Sequence, residues 1–474
     1  MKEVKAYISN IDPLLLQHVT GRVGKFIHLL AEKEFLSEEI FIRSICGEKY
    51  DQQHYDNLKH RALKILQALA LVSVFKGSNE VKKKLDFCRK NFALGQKFLG
   101  KGVRDEGIRL IRQAHRVAVR YDFVHMASEL SSILFHHHMT YEKKSSLANR
   151  YARQLEAFAQ DYLIEKRTEL SFYNTVSQLH KSTAPEILQR AITFIRSLDG
   201  RSLKYQTHLS ILNIIHGFAI GDYEGIIKHG LHAIQYFDGR QGMYDSHHQF
   251  FRSKLGIAYI ATGNYSLAHQ SFADAQEFTH PNSKNDYILR LYRTINAIHA
   301  GDYGTAYQLY RKNRKCRFPE IKLQFAIIEA YLCFLAHQGY LKIDGRFRIG
   351  KFLNETFESQ SDKQGNNLAV LIAELLVYLC RDHGKFIDRV ERIHSYSYRH
   401  LRGRATSRAK RFVKLLCLIP RVKFNAALLA KVGAKEINYL NQNPIWMGDS
   451  LAIEVIPFEK LLCMVVKQLQ KKVA

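Results

Sequence analysis

A turn signature returns at near-equal intervals along this chain: Gly221-Asp222-Tyr223, Gly263-Asn264-Tyr265, Gly301-Asp302-Tyr303 and a fainter Gly339-Tyr340. Its glycines lie 42, 38 and 38 residues apart, and Pro281 and Pro319, themselves 38 apart, each follow a turn glycine by 18 residues. Two kinds of punctuation thus keep one register. A unit of this length holds two helices and a tight turn; it cannot bury its apolar face alone and must stack on its neighbours. Between the turns, apolar residues recur at the three- and four-residue spacing of a helix, as in Ile108, Ile111, Val117 and Val119, or Leu203, Leu209, Leu212 and Ile215. Seven prolines in 474 residues leave room for long uninterrupted helices. The pattern predicts an all-α chain, an α-α superhelix or solenoid of stacked antiparallel helix hairpins.

The best copy of the unit is SKLGIAYIATGNYSLAHQSFADAQEFTHP, residues 253–281. Here Leu255, Gly256, Tyr259, Gly263, Tyr265, Ala268, Phe272 and Ala275, followed by Pro281, resemble the tetratricopeptide repeat (TPR) consensus, with the closing proline one position late. The small residues have a physical task. Gly256 and Ala268 let the two helices of a pair approach, Ala275 admits the next repeat, and Tyr259 and Phe272 fill the space between. The next copy keeps Gly301, Tyr303, Ala306 and Tyr310 but has Arg293 and Thr294 where Leu and Gly stood. The preceding one keeps Gly221, Tyr223 and Ala233, with Ile226 and Gly230 at the later Ala and Phe positions. The resemblance is specific over about 250–281 and degenerate over 200–360. It implies a TPR-like fold and a protein-binding superhelix without enzymatic activity of its own.

Residues 1–90 lack the register and are expected to form an N-terminal helical cap, with 91–398 as the TPR-like array and 399–474 as a basic C-terminal helical segment. Ser37 followed by Glu38 and Glu39 marks a helix start, and Asp51 to Val74 a second helix. Two helices joined by Cys46 to Asp51 would also suit a helix-turn-helix offering Gln52, Gln53, Asn57, Lys59 and Arg61 to a DNA groove. The cap is the expectation, since a terminal repeat needs the same two helices and polar face.

Lys plus Arg (71) exceed Asp plus Glu (44), for a formal charge of +27. A field of that sign attracts phosphate backbones, anionic lipid and acidic proteins, although many basic side chains only solvate helix faces. Hydrophobic residues at 46% exclude a mainly disordered chain. The seven cysteines stand far apart without a CxxC pair, which argues against a zinc site or disulfide framework and for a reducing, cytoplasmic compartment. The segment MKEVKAYISNIDPLLLQ carries Glu3 and Asp12 and no apolar stretch, so no secretory signal is expected. The most apolar run, Leu368 to Cys380, is short of the roughly 20 residues a membrane span needs. It also contains Glu374, expected to face solvent or a neighbouring Lys.

Motifs with catalytic spelling fail on context. Gly345 to Phe352 nearly matches a phosphate-binding loop, but Phe352 replaces the hydroxyl residue that would hold Mg²⁺, and no strand leads into it. Gly448-Asp449-Ser450-Leu451 spells the nucleophile block of GDSL esterases, yet no histidine follows His400 to activate the serine. His136-His137-His138 is the densest histidine cluster. Adjacent helical positions point about 100° apart, so three in a row are not expected to converge on one metal, and solvated or interface histidines are expected there. No catalytic residue, cofactor or metal is assigned.

Two candidate surfaces remain. The segment Arg399 to Lys423 holds nine Lys or Arg and no acid. From Ala405 its apolar residues Ala409, Phe412, Val413 and Leu416 follow helical spacing, leaving Arg404, Arg408 and Arg411 as a predicted outward stripe for phosphates or an acidic peptide. A solvated charged face is the alternative. The second surface is the inner face of the superhelix, where projection from the turn glycines places Ile211, Ile215 and Phe218, then Phe250, Ile257 and Ile260, then Leu291, Ile295 and Ile298. So large an apolar patch does not stay in water. Either inter-repeat packing, the chain's own tail (Ile453 to Val473) or a partner helix should cover it. The reading is a non-enzymatic protein-protein interaction scaffold with a protein or peptide partner; the alternative is a nucleic-acid-associated protein that binds phosphate backbone through its basic surface.

Overall fold

Each turn glycine ends one helix while its neighbours start the next. The computed structural model describes residues 2–11, 13–32, 52–72, 79–181, 183–240, 244–344, 347–357, 366–401, 406–443, 445, 447 and 454–471. In it Gly221, Gly263, Gly301 and Gly339 have φ of 74, 79, 84 and 83°, a left-handed backbone that side chains with a Cβ resist. The residue after each glycine donates its N–H back across the turn: Asp222 to Gly217 O (2.9 Å), Asn264 to Tyr259 O (2.8 Å), Asp302 to Ala297 O (2.9 Å) and Tyr340 to Leu335 O (3.0 Å). This closes the helix as a Schellman motif. Asp222 and Asp302 then cap the following helix, accepting from Gly225 N (2.9 Å) and Thr305 N (3.0 Å) and so satisfying one orphan donor of its first turn. The Gly-Asp-Tyr signature is a stop and a start written in three residues.

Among the described residues there are 23 α-helices and no strand, and helices pack mainly on their neighbours in sequence, as in an α-solenoid. Two compact units divide the chain: Met1–Lys166 with Arg201–Leu203 and Gly239–Tyr244, and Arg167–Gly200 with Lys204–Asp238 and Asp245–Ala474. No described helix is long and apolar enough to cross a membrane.

The first unit holds α1 (Lys2–Asn10), α2 (Pro13–Gln17), α3 (Gly21–Glu32), α4 (Gln52–Val72), α5 (Glu80–Gly100), α6 (Arg104–Arg120), α7 (Val124–Thr140) and α8 (Ser145–Val176) as far as Lys166. Helices α1, α3 and α4 close around Phe26, Ile27, Tyr55 and Leu66, and α5 to α7 around Cys88, Ile111, Ala114 and Leu130. Of the helix-turn-helix alternative, Gln53, Asn57 and Arg61 are exposed on α4 and Lys59 is half-buried. Ser37 to Asp51 and the side chain of Gln52 lie outside the described residues.

The second unit continues with α9 (Ala184–Ser197), α10 (Leu203–Ile220, from Lys204), α11 (Tyr223–Phe237), α12 (Asp245–Ala261), α13 (Tyr265–Glu277), α14 (Lys284–Ala300), α15 (Tyr303–Asn313), α16 (Pro319–His337) and α17 (Ile349–Phe357). It closes with α18 (Asn366–Arg381), α19 (His383–His400), α20 (Ser407–Arg421), α21 (Ala426–Val432), α22 (Ala434–Gln442) and α23 (Phe458–Gln470). The hairpins predicted at Gly221, Gly263 and Gly301 are α10–α11, α12–α13 and α14–α15. They are tight where residues are small. A Cβ on Gly256 would lie 2.6 Å from Phe272 Cε1, and one on Gly217 would lie 2.5 Å from Ile226 Cγ1. Ala268, Phe272 and Ala275 are fully buried. First helices of successive pairs also touch, α12 on α14 and α14 on α16.

Candidate functional site

The nine apolar positions projected onto an inner face do not form an open surface. Phe218, Ile257, Ile260, Leu291, Ile295 and Ile298 are buried, and Ile211, Ile215 and Phe250 are half-buried. The physical reason is the contact between first helices: α14 lies between α12 and α16, so residues on those facing sides become core. Phe218 and Phe250 do come together, through the Lys254 ammonium that lies 5.8 and 5.5 Å from their ring centroids.

What meets the repeat hairpins instead is the C-terminal segment, and it meets them at the turns. The Tyr223 hydroxyl accepts from Met447 N (2.6 Å) and donates to Met447 O (3.2 Å). His299, beside Gly301, donates its Nε2–H to Glu454 O (2.9 Å), and Lys460 Nζ donates to His299 O (2.7 Å) while lying 5.5 Å from the Tyr265 ring centroid. At the Gly339 turn, Gln338 donates to Gln468 (2.9 Å), and Lys467 lies 5.9 Å from the Tyr340 ring. Burial pulls the His299 imidazole down to about 4, so it is neutral at physiological pH. Tyr223, Tyr265 and Tyr340 of the turn signature thus have a second use, as docking points for the C-terminal segment. Sequence reasoning treated them as punctuation only.

The basic segment also differs from its predicted form. Arg404 lies outside the described residues. Arg408 is not part of an outward stripe: it is 4% exposed and grips three pieces of chain at once. Its guanidinium donates to Glu454 Oε1 (2.7 Å) and Oε2 (2.9 Å), to Glu459, and to the carbonyls of Leu440 and Asn443. Burial pushes the Glu454 carboxyl up, and the paired hydrogen bonds and charge of Arg408 pull against that. Glu454 also accepts from Phe458 N (3.1 Å) at the start of α23. The signal was in the sequence: Arg408 stands four residues before Phe412 and eight before Leu416, on the buried side of α20.

The face of α20 that does reach solvent carries Lys410, Arg411 and Lys414. They border a cleft of about 510 Å³ whose other walls include His394 and Tyr398 from α19 and Tyr439 from α22. Arg411 lies 4.9 Å from the Tyr439 ring centroid and 3.4 Å from Glu436, which also holds Lys414. Burial pushes the Glu436 carboxyl up, but the hydrogen bond and charge of Lys414, with Arg411 behind it, outweigh burial and hold it below its usual range. Three cations therefore face one acid. Tyr398 is 77% exposed at the rim.

In the first unit, His137 and His138 are buried, not solvated. His137 Nε2 and His138 Nδ1 each lie 3.0 Å from an oxygen of Glu142, which Lys144 (2.9 Å) and Arg112 (3.2 Å) also approach. Neighbouring histidines converge here because they use opposite ring nitrogens. A carboxylate only accepts, so both facing nitrogens carry protons, and the Lys144 and His137 bonds most of all, with the charges of His138 and Lys144, hold the Glu142 pKa down at about 2. The two imidazoles and the carboxylate place ligand atoms within 4.8 Å of one another, but the adjacent Lys and Arg charges already neutralise the carboxylate and oppose a cation. The arrangement is a clasp on the end of α7. Glu374 is likewise a buried acid, 1% exposed, with Arg389 Nε 3.1 Å from its Oε1. Residues 448–451, with the serine of the GDSL spelling, lie outside the described residues, as do Gly345 and Arg346 of the phosphate-loop spelling; Phe352 of that motif is buried in α17.

Compared with known proteins, the chain matches no family model and no curated sequence.

Proposed function

We propose that this protein is a non-catalytic binding scaffold whose TPR-like helix hairpins present surface for another protein. The observation that carries the reading is the Gly256–Phe272 contact, in which a glycine is required for one helix to approach an aromatic ring of the next, together with glycine turns repeated in one register. Such a stack spends its residues on a long shaped surface. Its partner surface lies elsewhere than the nine apolar positions, since six of them are core. A reducing, cytoplasmic setting belongs to the same proposal, on the dispersed cysteines of the sequence. The test is retention of proteins on the immobilised full chain from nuclease-treated and untreated lysate, followed by rebinding of each purified candidate. Saturable rebinding of one purified protein is the expected result. Loss of every retained component on nuclease treatment would overturn it.

A second reading, association with nucleic acid, is favoured by one observation: the cleft between α19, α20 and α22 carries three cations against one acid beside an exposed aromatic ring. Its signature is binding of the full chain to an oligonucleotide that weakens steeply with salt.

A further inference from the structure

Resting on that second reading, we propose that the cleft bordered by Lys410, Arg411 and Lys414 is a nucleotide-phosphate site, with Tyr398 as the platform on which the base stacks. Three independent features meet there. The cleft holds about 510 Å³, within the range of ligand sites. Lys410 is exposed and forms no ion pair with any described acid, so its charge is available to a ligand. Arg411 and Lys414 are held in place by Glu436, and the Arg411 guanidinium carbon lies over the Tyr439 ring, 4.9 Å from its centroid; a guanidinium held in place keeps its remaining donors for a phosphate at small entropic cost.

The aromatic ring narrows the ligand class. Tyr398 is more exposed than any other large apolar side chain among the described residues, at 77%. A bare phosphate has no use for it, whereas a nucleotide presents a base one phosphate away from its charge. The shared chemistry is a phosphorylated nucleoside, either free or as one unit of a single strand.

The experiment titrates the full chain into a fluorescein-labelled 12-nucleotide oligoadenylate, read by anisotropy at several salt concentrations, with AMP as competitor. Lys410→Glu, Tyr398→Ala and a distant charge reversal on α16, Lys322→Glu, are compared; all three side chains are exposed, so each variant should fold. Lys410→Glu should weaken binding at least about tenfold and lower the log–log salt slope by about 1, the loss of one phosphate contact. Tyr398→Ala should weaken it about fivefold or more, the low end of what one base–aromatic stack contributes. Lys322→Glu should change little. Competition by AMP at equal nucleotide concentration identifies a free nucleotide as the source, and competition by oligoadenylate alone identifies a strand. If Lys322→Glu costs as much as Lys410→Glu, the cleft proposal is overturned while nucleic-acid association stands. If the unaltered chain shows no saturable binding at low salt, both are overturned.

Discussion

Replacing Arg408 by Leu should release the C-terminal helix. The side chain is 4% exposed, and its partner Glu454 is 3% exposed. Removing one member of a buried ion pair leaves the other charge uncompensated, at a cost of about 3–5 kcal/mol. The carbonyls of Leu440 and Asn443 lose a donor as well. A loss of that size raises the population of the undocked α23 by about 100-fold or more. The assay is amide hydrogen exchange across 458–470, supported by limited proteolysis after Met447. The pH dependence follows from Glu454. Without the guanidinium, burial and the charge of Glu459 are opposed only by the Phe458 N–H bond, and the carboxyl pKa rises further above the ordinary 4.5. A carboxyl whose folded pKa is raised destabilises the fold only where the unfolded chain is ionised. The variant's deficit should therefore be smallest below pH 4.5 and grow toward neutrality. Arg408→Leu with Glu454→Leu should recover most of the loss, because an apolar pair of similar volume is often neutral or better. Exchange in α23 that rises less than about tenfold in the single variant, or a double variant worse than the single, would refute the clamp.

Three further outcomes are expected. Gly256→Ala gains about 1 kcal/mol of helix propensity but forces a Cβ to 2.6 Å from the fully buried Phe272 ring, an overpacking that costs about 1–3 kcal/mol; urea denaturation should show a net loss, and Phe272→Leu in the same chain should restore most of it. Glu142, with a pKa near 2 against an ordinary 4.5, contributes stability that is present above about pH 4.5 and lost as pH falls toward 2, at most about 3 kcal/mol at 1.4 kcal/mol per unit; Glu142→Gln should flatten that part of the pH profile measured by exchange at the end of α7. Tyr223→Phe removes the hydroxyl that both accepts from and donates to Met447 and should speed proteolytic cleavage there by several-fold, corresponding to about 1 kcal/mol; an unchanged rate would mean that the contact holds nothing.

The fold was legible because its strongest signals are local. A glycine at positive φ, an aspartate cap three residues before an amide it satisfies, and a small residue opposite an aromatic ring are each decided within a few residues or one hairpin. The apolar positions projected on α12 and α14 left open whether they make a groove or core, because that depends on how closely the next first helix approaches, and that distance is set by residues one repeat away. His137 and His138 show the same limit on a smaller scale. Their helical angles point them apart, but Glu142, just past the end of the helix, bonds a different ring nitrogen on each.

The basic segment shows how charge on a helix divides between structure and surface. Counting arginines at helical spacing grouped Arg404, Arg408 and Arg411, yet the apolar residues Phe412 and Leu416 fix which side is buried, and Arg408 shares it. A buried arginine needs acids, and the tail supplies them at Glu454 and Glu459, in a stretch otherwise apolar around Val455, Ile456 and Phe458. Those two acids were the missing counterpart in the sequence. Once they neutralise Arg408, the charge left on α20 is the set one step further round, Lys410, Arg411 and Lys414, with Glu436 as their one acidic partner among the described residues. One of the three arginines grouped as phosphate ligands is thus a structural tie, and the nearby Lys410, which pairs with no described acid, is the one whose reversal should be felt by a ligand.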